Sequence, residues 1–167
     1  PIVEFELGRP LGAIFADFRH DGLGASLGQV HRARLHDGRE VAVKVQYPDA
    51  ADAVELDLRA LGFLSAPLAG ARGRFDLDGY RAELGRSLAL ELDYRAEVSA
   101  LERFRLYARE LPGLIVPEPV RDLCTPRILT MSWVEGEPLR AGRTLPPAER
   151  ETIARLLVTL FVRGLFE

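Results

Sequence analysis

Lys44 is the only lysine in a chain that has 22 basic residues, so 21 positive side chains are arginine. Lysine carries a compact charge on a flexible stem, whereas arginine presents a wide planar fork. Because a position that needs only a solvated positive charge accepts either residue, we interpret the arginine excess as a habit of composition. Lys44 is then a position where a mobile ammonium is required, as it is beside an anion. The alternative is that one lysine remains by chance.

Two acidic residues are candidate partners for this ammonium. Asp93 and Glu97 lie four residues apart on a predicted helix, and neither has a basic residue three or four positions away. A like-charge pair at this spacing is unfavourable in isolation, so it predicts a cation from elsewhere in the chain, and Lys44 is the natural candidate. Glu91, by contrast, can pair with Arg95. The alternative is that both unpaired carboxylates are simply solvated.

A glycine-rich stretch at residues 22–30 precedes Lys44 by the length of one hairpin. Glycine-rich turns let backbone N–H groups approach phosphate oxygens, and a lysine on the next strand can neutralise them. Protein kinases combine G-x-G-x-x-G-x-V with V-A-I-K in this order. Here the last glycine is one residue further on, and the lysine lies in Val-Ala-Val-Lys. The combination indicates a site for nucleotide phosphates.

Two strands must position the lysine. Residues 29–35 and 41–46 read as strands joined by an Asp-Gly turn, a strong hairpin signal. Alternation along the second strand predicts that its valines face a core and that Ala42, Lys44 and Gln46 face the other way. A small residue beside a charge suits a flat apolar ligand that carries an anion.

The remaining elements follow from periodicity and from glycine and proline positions. The sequence predicts a short helical lead-in over residues 1–20, a turn-rich loop at 21–28, a helix at 49–68, one long helix at 76–110 kinked near Gly85, strands at 114–116 and 128–131, a linker at 134–138, and a last helix from Pro146. The last helix carries an apolar stripe that soluble monomers rarely leave uncovered, so we expect further protein against it.

Composition excludes several classes of protein. A net charge of -3 and a pI near 5.7 give no basic surface for nucleic acid. Cys124 is the only cysteine, so no internal disulfide forms, and it is predicted to be inert. The histidines have no partners at ligand spacing, so we expect no metal site built from this chain alone, and His31 is expected to pack. No apolar run approaches about 20 residues, which predicts a cytoplasmic-type domain.

Four strings together resemble the UbiB/ADCK group of atypical protein-kinase-like proteins, which is associated with ubiquinone and other prenyl-lipid metabolism. They are Ala-Ser-Leu-Gly-Gln-Val-His at 25–31, Val-Ala-Val-Lys-Val-Gln-Tyr-Pro at 41–48, Glu-Leu-Asp-Tyr-Arg-Ala-Glu at 91–97, and Val-Pro-Glu-Pro at 116–119 followed by Leu-Thr-Met at 129–131.

The resemblance implies an α+β, protein-kinase-like fold. Residues 1–134 would form a small antiparallel-sheet N-lobe with helical insertions, and residues 135–167 the hinge exit and the first helix of the C-lobe. The catalytic-loop and Asp-Phe-Gly strings that hold metal and accept the substrate proton do not occur here. We expect them after Glu167, and the family's Lys-x-Gly-Gln element before Pro1, so that this chain is an excerpt.

The resemblance also implies roles for single residues. Lys44 would hold nucleotide phosphates with Glu97 as its ion-pair partner, while Glu91 and Asp93 would form the family's acidic motif. Trp133 is expected to pack rather than to stack on a ligand. The implied nucleotide-binding residues are Leu23, Gly24, Ala25 and Ser26 over the phosphates, Val30 and Ala42 around the adenine, and Met131, Ser132, Trp133 and Val134 in the hinge. Two positions of the loop depart from the family's alanines.

The ligand implied is ATP or ADP with Mg²⁺, and the reaction of the intact protein is phosphoryl transfer or ATP hydrolysis. The excerpt alone is expected to be inactive. The implied partners are prenyl-lipid or quinone-biosynthesis proteins, with at most peripheral contact at the inner membrane. One alternative is a catalytically dead nucleotide-binding scaffold that regulates a lipid-biosynthesis complex. Another is a small-molecule phosphotransferase, which the Glu-x-Asp-Tyr-x-x-Glu string disfavours.

Overall fold

The computed structural model describes residues 2–53, 56, 60 and 77–166. Of the predicted helix at 49–68, positions 50–53, 56 and 60 are helical, and the rest lies outside the described residues. The helices are α1 (Ile2–Leu7), α2 (Leu11–Ile14), α3 (Leu77–Glu91), α4 (Tyr94–Ala108) and α5 (Pro147–Phe166), with 3-10 turns at Arg121–Leu123 and Leu139–Thr144. The strands are β1 (Phe15–Phe18), β2 (Leu23–Ala25), β3 (Gly28–Leu35), β4 (Glu40–Gln46) and β5 (Ile128–Ser132).

The five strands form one antiparallel sheet in the order β1-β3-β4-β5, and β2 also pairs with β3. The predicted hairpin between β3 and β4 is confirmed. It turns at Asp37 and Gly38, where Gly38 has a φ of +90°, a conformation that glycine adopts without steric cost. An antiparallel sheet with segregated helices confirms the α+β prediction.

Strand β4 divides the interior into two clusters, as its alternation predicted. Val41, Val43 and Val45 face the main core. That core also contains Val3, Ile14, Phe15, Ala33, Leu35, Leu123 and Ile128. The opposite face of the sheet packs against α4 in a smaller cluster of Tyr94, Val98 and Leu129. Lys44 lies on this second face, so its ammonium meets α4 rather than the main core.

Two strands were not predicted from the sequence. Residues 15–18 belong to a strand and not to the helical lead-in, because β1 pairs with β3 through an irregular register that leaves no period-2 pattern in its burial. Residues 23–25 form β2 rather than a loop. β1 pairs with residues 33–35 of β3, whereas β2 pairs with residues 28–30 across the turn at Ser26 and Leu27. In both cases the strand depends on its partner, which the propensity of the segment itself does not report.

The predicted strand at 114–116 is also absent, since these residues have no regular structure. Pro117 and Pro119 lack the N–H groups that a strand ladder needs. Instead Pro119 makes an isolated bridge with Met131, and Val120 N–H donates to the Thr130 carbonyl at 2.8 Å. The segment therefore covers the free edge of β5.

The long predicted helix is broken at a different place from the one expected. Gly85 lies inside α3, whereas the chain leaves helical geometry at Leu92 and Asp93. Asp93 is extended (φ -112°, ψ 96°), and its carboxylate accepts from the Arg95 N–H at 3.0 Å. Asp93 thus acts as an N-cap, which sets the first residue of α4.

The last helix begins at Pro147, close to the predicted start, after a segment at 133–138 without regular structure. Its side chains Leu157, Val158, Phe161 and Val162 are exposed. The division of the chain at residue 134 stays a prediction.

Gly28→Ala is expected to lower the free energy of unfolding by about 1–3 kcal/mol, the usual cost of overpacking. A Cβ at Gly28 would lie 2.1 Å from the Val45 carbonyl oxygen, so β3 or β4 must move. Gly24→Ala is the matched control, because a Cβ there meets nothing within 4 Å. Urea unfolding of both variants measures the difference, and equal losses would contradict the close approach.

Candidate functional site

Lys44 and Glu97 form an ion pair between β4 and α4. Lys44 Nζ donates to Glu97 Oε1 at 3.0 Å and to Oε2 at 2.9 Å. The two side chains are 25% and 42% exposed, so the pair lies at the mouth of a cleft and not in the core. Glu97 is in the first turn of α4, where the helix dipole favours a carboxylate. Of the two acids predicted to lie on one helix face, Asp93 and Glu97, it is Glu97 that contacts the lysine.

The structure corrects the prediction made from helix spacing: Asp93 is not an unpaired acid on the same helix face as Glu97. Its side chain caps α4 and lies before the first helical residue. Glu91 is the last residue of α3. Its side chain lies outside the described residues, so its role stays a prediction.

Tyr94 was given no role from sequence, yet it lies directly against the ammonium. Lys44 Nζ is 4.7 Å from the centroid of the Tyr94 ring, a cation–π contact. The side chain is 1% exposed, and its hydroxyl has no hydrogen-bond partner in the described part of the chain. Burial, and then the charge of Glu97, raise the pKa of Tyr94 to about 12. Its spacing of three residues from Glu97 is the signal that could have found it.

The cleft beside the ion pair has a volume of about 540 Å³. This lies within the usual range for small-molecule sites, roughly 300–1,000 Å³. Ala96 and Ala100 leave room along α4, because their side chains are small. The lining residues are Ser26, Leu27, Lys44, Leu90, Tyr94, Ala96, Glu97, Ala100 and Arg103.

The residues predicted around the phosphates and adenine lie in neighbouring strands. Leu23 is paired with Val30, and Val30 with Lys44, so these three form one row across the sheet. Ala42 is paired with Met131 two rows away, in the next row on the same face of the sheet. Of the segment 23–26, Ser26 lines the cleft, whereas Leu23 is 70% exposed. Gly24 and Ala25 lie in β2, on the approach to the turn at Ser26 and Leu27.

The predicted hinge is held on both sides by backbone bonds. Ser132 N–H donates to the Glu118 carbonyl at 2.8 Å, and Ser132 Oγ accepts from Glu118 N–H at 2.8 Å. Trp133 N–H donates to the Glu40 carbonyl at 3.0 Å. Val134, the next residue, is exposed.

Trp133 packs against a cation of the protein itself. The Arg32 guanidinium lies 4.7 Å from the centroid of its ring, and Arg32 also pairs with Glu40 and, at 2.8 Å, with Glu135. This contact fits the expected packing role rather than ligand stacking.

Cys124 and His31 both contact other groups of the protein. Burial raises the pKa of the Cys124 thiol, and its Sγ donates to the Val120 and Thr130 carbonyls. His31 Nδ1 lies 3.0 Å from the Arg19 carbonyl oxygen, and its ring contacts Phe18. Within the described ranges, no group of three or more His, Cys, Asp or Glu residues is arranged to hold a metal ion. No described helix has the length and apolar character needed to cross a membrane.

Comparison with known proteins identifies relatives over most of the chain. The model of the ABC1 atypical kinase-like domain matches residues 1–167. The mitochondrial atypical kinase coq-8 of Caenorhabditis elegans is 38% identical over 143 residues, which are 85% of this chain and 19% of the relative. The mitochondrial atypical kinase COQ8B of Rattus norvegicus is 38% identical over 144 residues, 86% of this chain and 27% of the relative.

A chloroplastic relative and a solved structure extend the comparison. The Arabidopsis thaliana protein Activity of BC1 Complex Kinase 1 is 39% identical over 144 residues, covering 81% of this chain and 20% of the relative. The solved complex of Rv3197 with erythromycin, from Mycobacterium tuberculosis, superposes with a TM-score of 0.70 at 34% identity. It covers 83% of this chain and 35% of that one. The chain thus spans about a fifth to a quarter of the length of the curated relatives named here.

Ionisation of Tyr94 is expected to destabilise the fold at high pH. Because its pKa in the folded protein is about 12 against an ordinary value of 10.0, its contribution is complete below pH 10 and is lost as the pH rises towards 12. The loss is about 2–3 kcal/mol of unfolding free energy. Urea unfolding across this pH range, compared with Tyr94→Phe, isolates the effect. Parallel pH profiles for the two proteins would contradict it.

Proposed function

This chain belongs to the family of ABC1 atypical kinase-like domains, and from that premise we propose that its cleft binds the phosphates of an adenine nucleotide. The match confirms the resemblance read from the motifs. The single observation that supports the proposal is the contact of Lys44 with both carboxylate oxygens of Glu97.

The geometry leaves the lysine able to act on an anion. An ammonium has three N–H donors, and two of them are used by Glu97. The third is free to donate to a phosphate oxygen at the cleft, while Glu97 holds the charge in place. The pair is partly exposed, so a ligand can reach it without opening the core. Lysine suits this role better than arginine, because it is a point charge that adjusts to phosphate oxygens on either side.

The sheet face next to Lys44 fits the remainder of a nucleotide. Ala42 lies in the same strand as Lys44, Val30 of β3 is paired with Lys44, and Met131 of β5 is paired with Ala42. These small and apolar side chains would bracket the adenine. The backbone from Met131 to Val134 would read its edge through groups other than the Ser132 and Trp133 N–H, which donate to Glu118 and Glu40. Ser26, at the turn between β2 and β3, would cover the phosphates from the cleft side.

Mg²⁺ bound with the nucleotide would neutralise charge that develops on the transferred phosphoryl group. Its preferred ligands are carboxylates and water. Lys44 would share the phosphates with the ion, and the metal's carboxylate ligands would come from residues outside the described ranges.

Because the chain spans a small part of its curated relatives, the activity of the whole protein is part of the proposal. We propose phosphoryl transfer or ATP hydrolysis, in agreement with the name atypical kinase carried by relatives. A link to prenyl-lipid or quinone metabolism follows from the motif resemblance. This chain would supply the nucleotide site, and the remaining part of the kinase-like domain would supply the proton acceptor and the metal ligands.

Lys44→Met is expected to weaken binding of Mg-ATP and Mg-ADP by about 10- to 150-fold, the equivalent of one charge-assisted hydrogen bond. Isothermal titration calorimetry on the full-length protein measures this directly. Arg155→Met is the matched control, since it removes an exposed cation from α5, far along the chain from the cleft. Equal affinities for Lys44→Met and the wild-type chain would rule out the phosphate role.

Glu97→Gln is expected to cost less than about 1 kcal/mol of stability, because exposed ion pairs contribute little. Nucleotide affinity is expected to fall about tenfold, since the ammonium loses its fixed position. Glu102→Gln is the control on the same helix, where the carboxylate pairs with Arg121. Thermal unfolding and calorimetry together separate the two effects. A loss of stability without a loss of affinity would assign Glu97 to structure alone.

A further inference from the structure

Gln46 is a buried polar residue at the end of β4 that the proposed nucleotide role leaves unused. It is 4% exposed and lies two residues after Lys44, on the same face of the strand. Its side-chain Nε2 donates to the Leu92 carbonyl at 2.8 Å. Leu92 is in the short break between α3 and α4. The amide thus joins the strand that carries the lysine to the point where α4 begins.

Two further hydrogen bonds are made at the same break between α3 and α4. Tyr94 N–H donates to the Pro126 carbonyl at 3.0 Å, which ties the first residue of α4 to the segment before β5. Asp93 caps the helix from within. Three bonds therefore fix residues 92–94, and Glu97 follows less than one helical turn later. Because the helix is rigid over that distance, these bonds decide where the Glu97 carboxylate lies.

The Tyr94 ring acts on the other member of the pair. It is buried against Val98 and Leu129 and lies 4.7 Å from Lys44 Nζ. Its hydroxyl makes no hydrogen bond among the described residues, so the ring and not the hydroxyl accounts for the contact. An aromatic face attracts an ammonium that is held above it. The ammonium is thus held from one side by the ring and from another by Glu97.

We propose that Gln46 and Tyr94 are positioning residues that hold the Lys44–Glu97 pair in one arrangement through bonds of the protein itself. Only the consequence of this inference rests on the proposed function: the phosphate site is organised before the ligand binds. Preorganisation of this kind improves affinity by reducing what must be ordered on binding.

Lys44 as the sole lysine makes the test direct, because a chain labelled with isotope-enriched lysine gives one side-chain signal in a nuclear magnetic resonance spectrum. The ring current of Tyr94 should move the signals of the Lys44 methylene protons upfield. Tyr94→Leu and Gln46→Met should return them towards the values of a free side chain. The conservative Tyr94→Phe should restore the wild-type shift.

Nucleotide affinity is measured on the same variants made in the full-length protein. Tyr94→Leu is expected to weaken binding of Mg-ATP about 2- to 30-fold, the range of a partly desolvated cation–π contact. Gln46→Met is expected to weaken it about 2- to 12-fold, the range of one neutral hydrogen bond. Gln29→Met is the matched control. It makes the same substitution at an exposed residue of β3, away from the break between α3 and α4. If Gln46→Met does not fold, the comparison of Tyr94→Leu with Tyr94→Phe decides alone.

The two proposals fail in different ways. An unshifted lysine signal in the wild-type chain, or a shift that survives both Tyr94→Leu and Gln46→Met in folded protein, would overturn the positioning role. A shifted signal that responds to the variants, together with a full-length protein that binds no Mg-nucleotide, would support the positioning role and overturn the nucleotide function.

Discussion

The contact between Lys44 and Glu97 depends on where helix α4 begins. One residue of shift in the helix start would rotate the Glu97 side chain by about 100° and move it off the lysine. The start is set by the Asp93 cap and by the bonds that Gln46 and Pro126 make with the break. The site is therefore an outcome of helix capping as much as of the two charged residues that form it.

Stability and the candidate site use opposite faces of the same sheet. Val41, Val43 and Ile128 are fully buried on the main core face, and each such side chain contributes about 1.5–3 kcal/mol. The partly exposed ion pair on the other face contributes about 0–1 kcal/mol. Because the two contributions differ in this way, the charged residues are free to serve a ligand while the valines hold the strand in register.

Helix α4 is also joined through Glu118 to β5, the strand that leads into the predicted hinge. The Glu118 side chain pairs with Arg105 of α4 at 3.1 Å, and its backbone makes two bonds with Ser132. Glu102 of the same helix pairs with Arg121, which lies in the segment that covers the edge of β5. The helix that carries Glu97 and the strand that would read an adenine edge are therefore attached to one common segment.

The sequence by itself determined the β3–β4 hairpin and the face of β4 that carries Lys44, because these rest on local turn chemistry and strand alternation. Glu97 was a candidate partner from helix spacing and from the family resemblance. The tertiary structure alone decided that residues 15–18 and 23–25 are strands, since both depend on pairing with β3. It also placed Tyr94 against Lys44 and converted Asp93 from an unpaired acid to a cap. The Tyr94 contact depends on two elements that meet across about 50 residues of chain. The role of Asp93 depends on a hydrogen bond at a helix end, which hydrophobic periodicity does not locate.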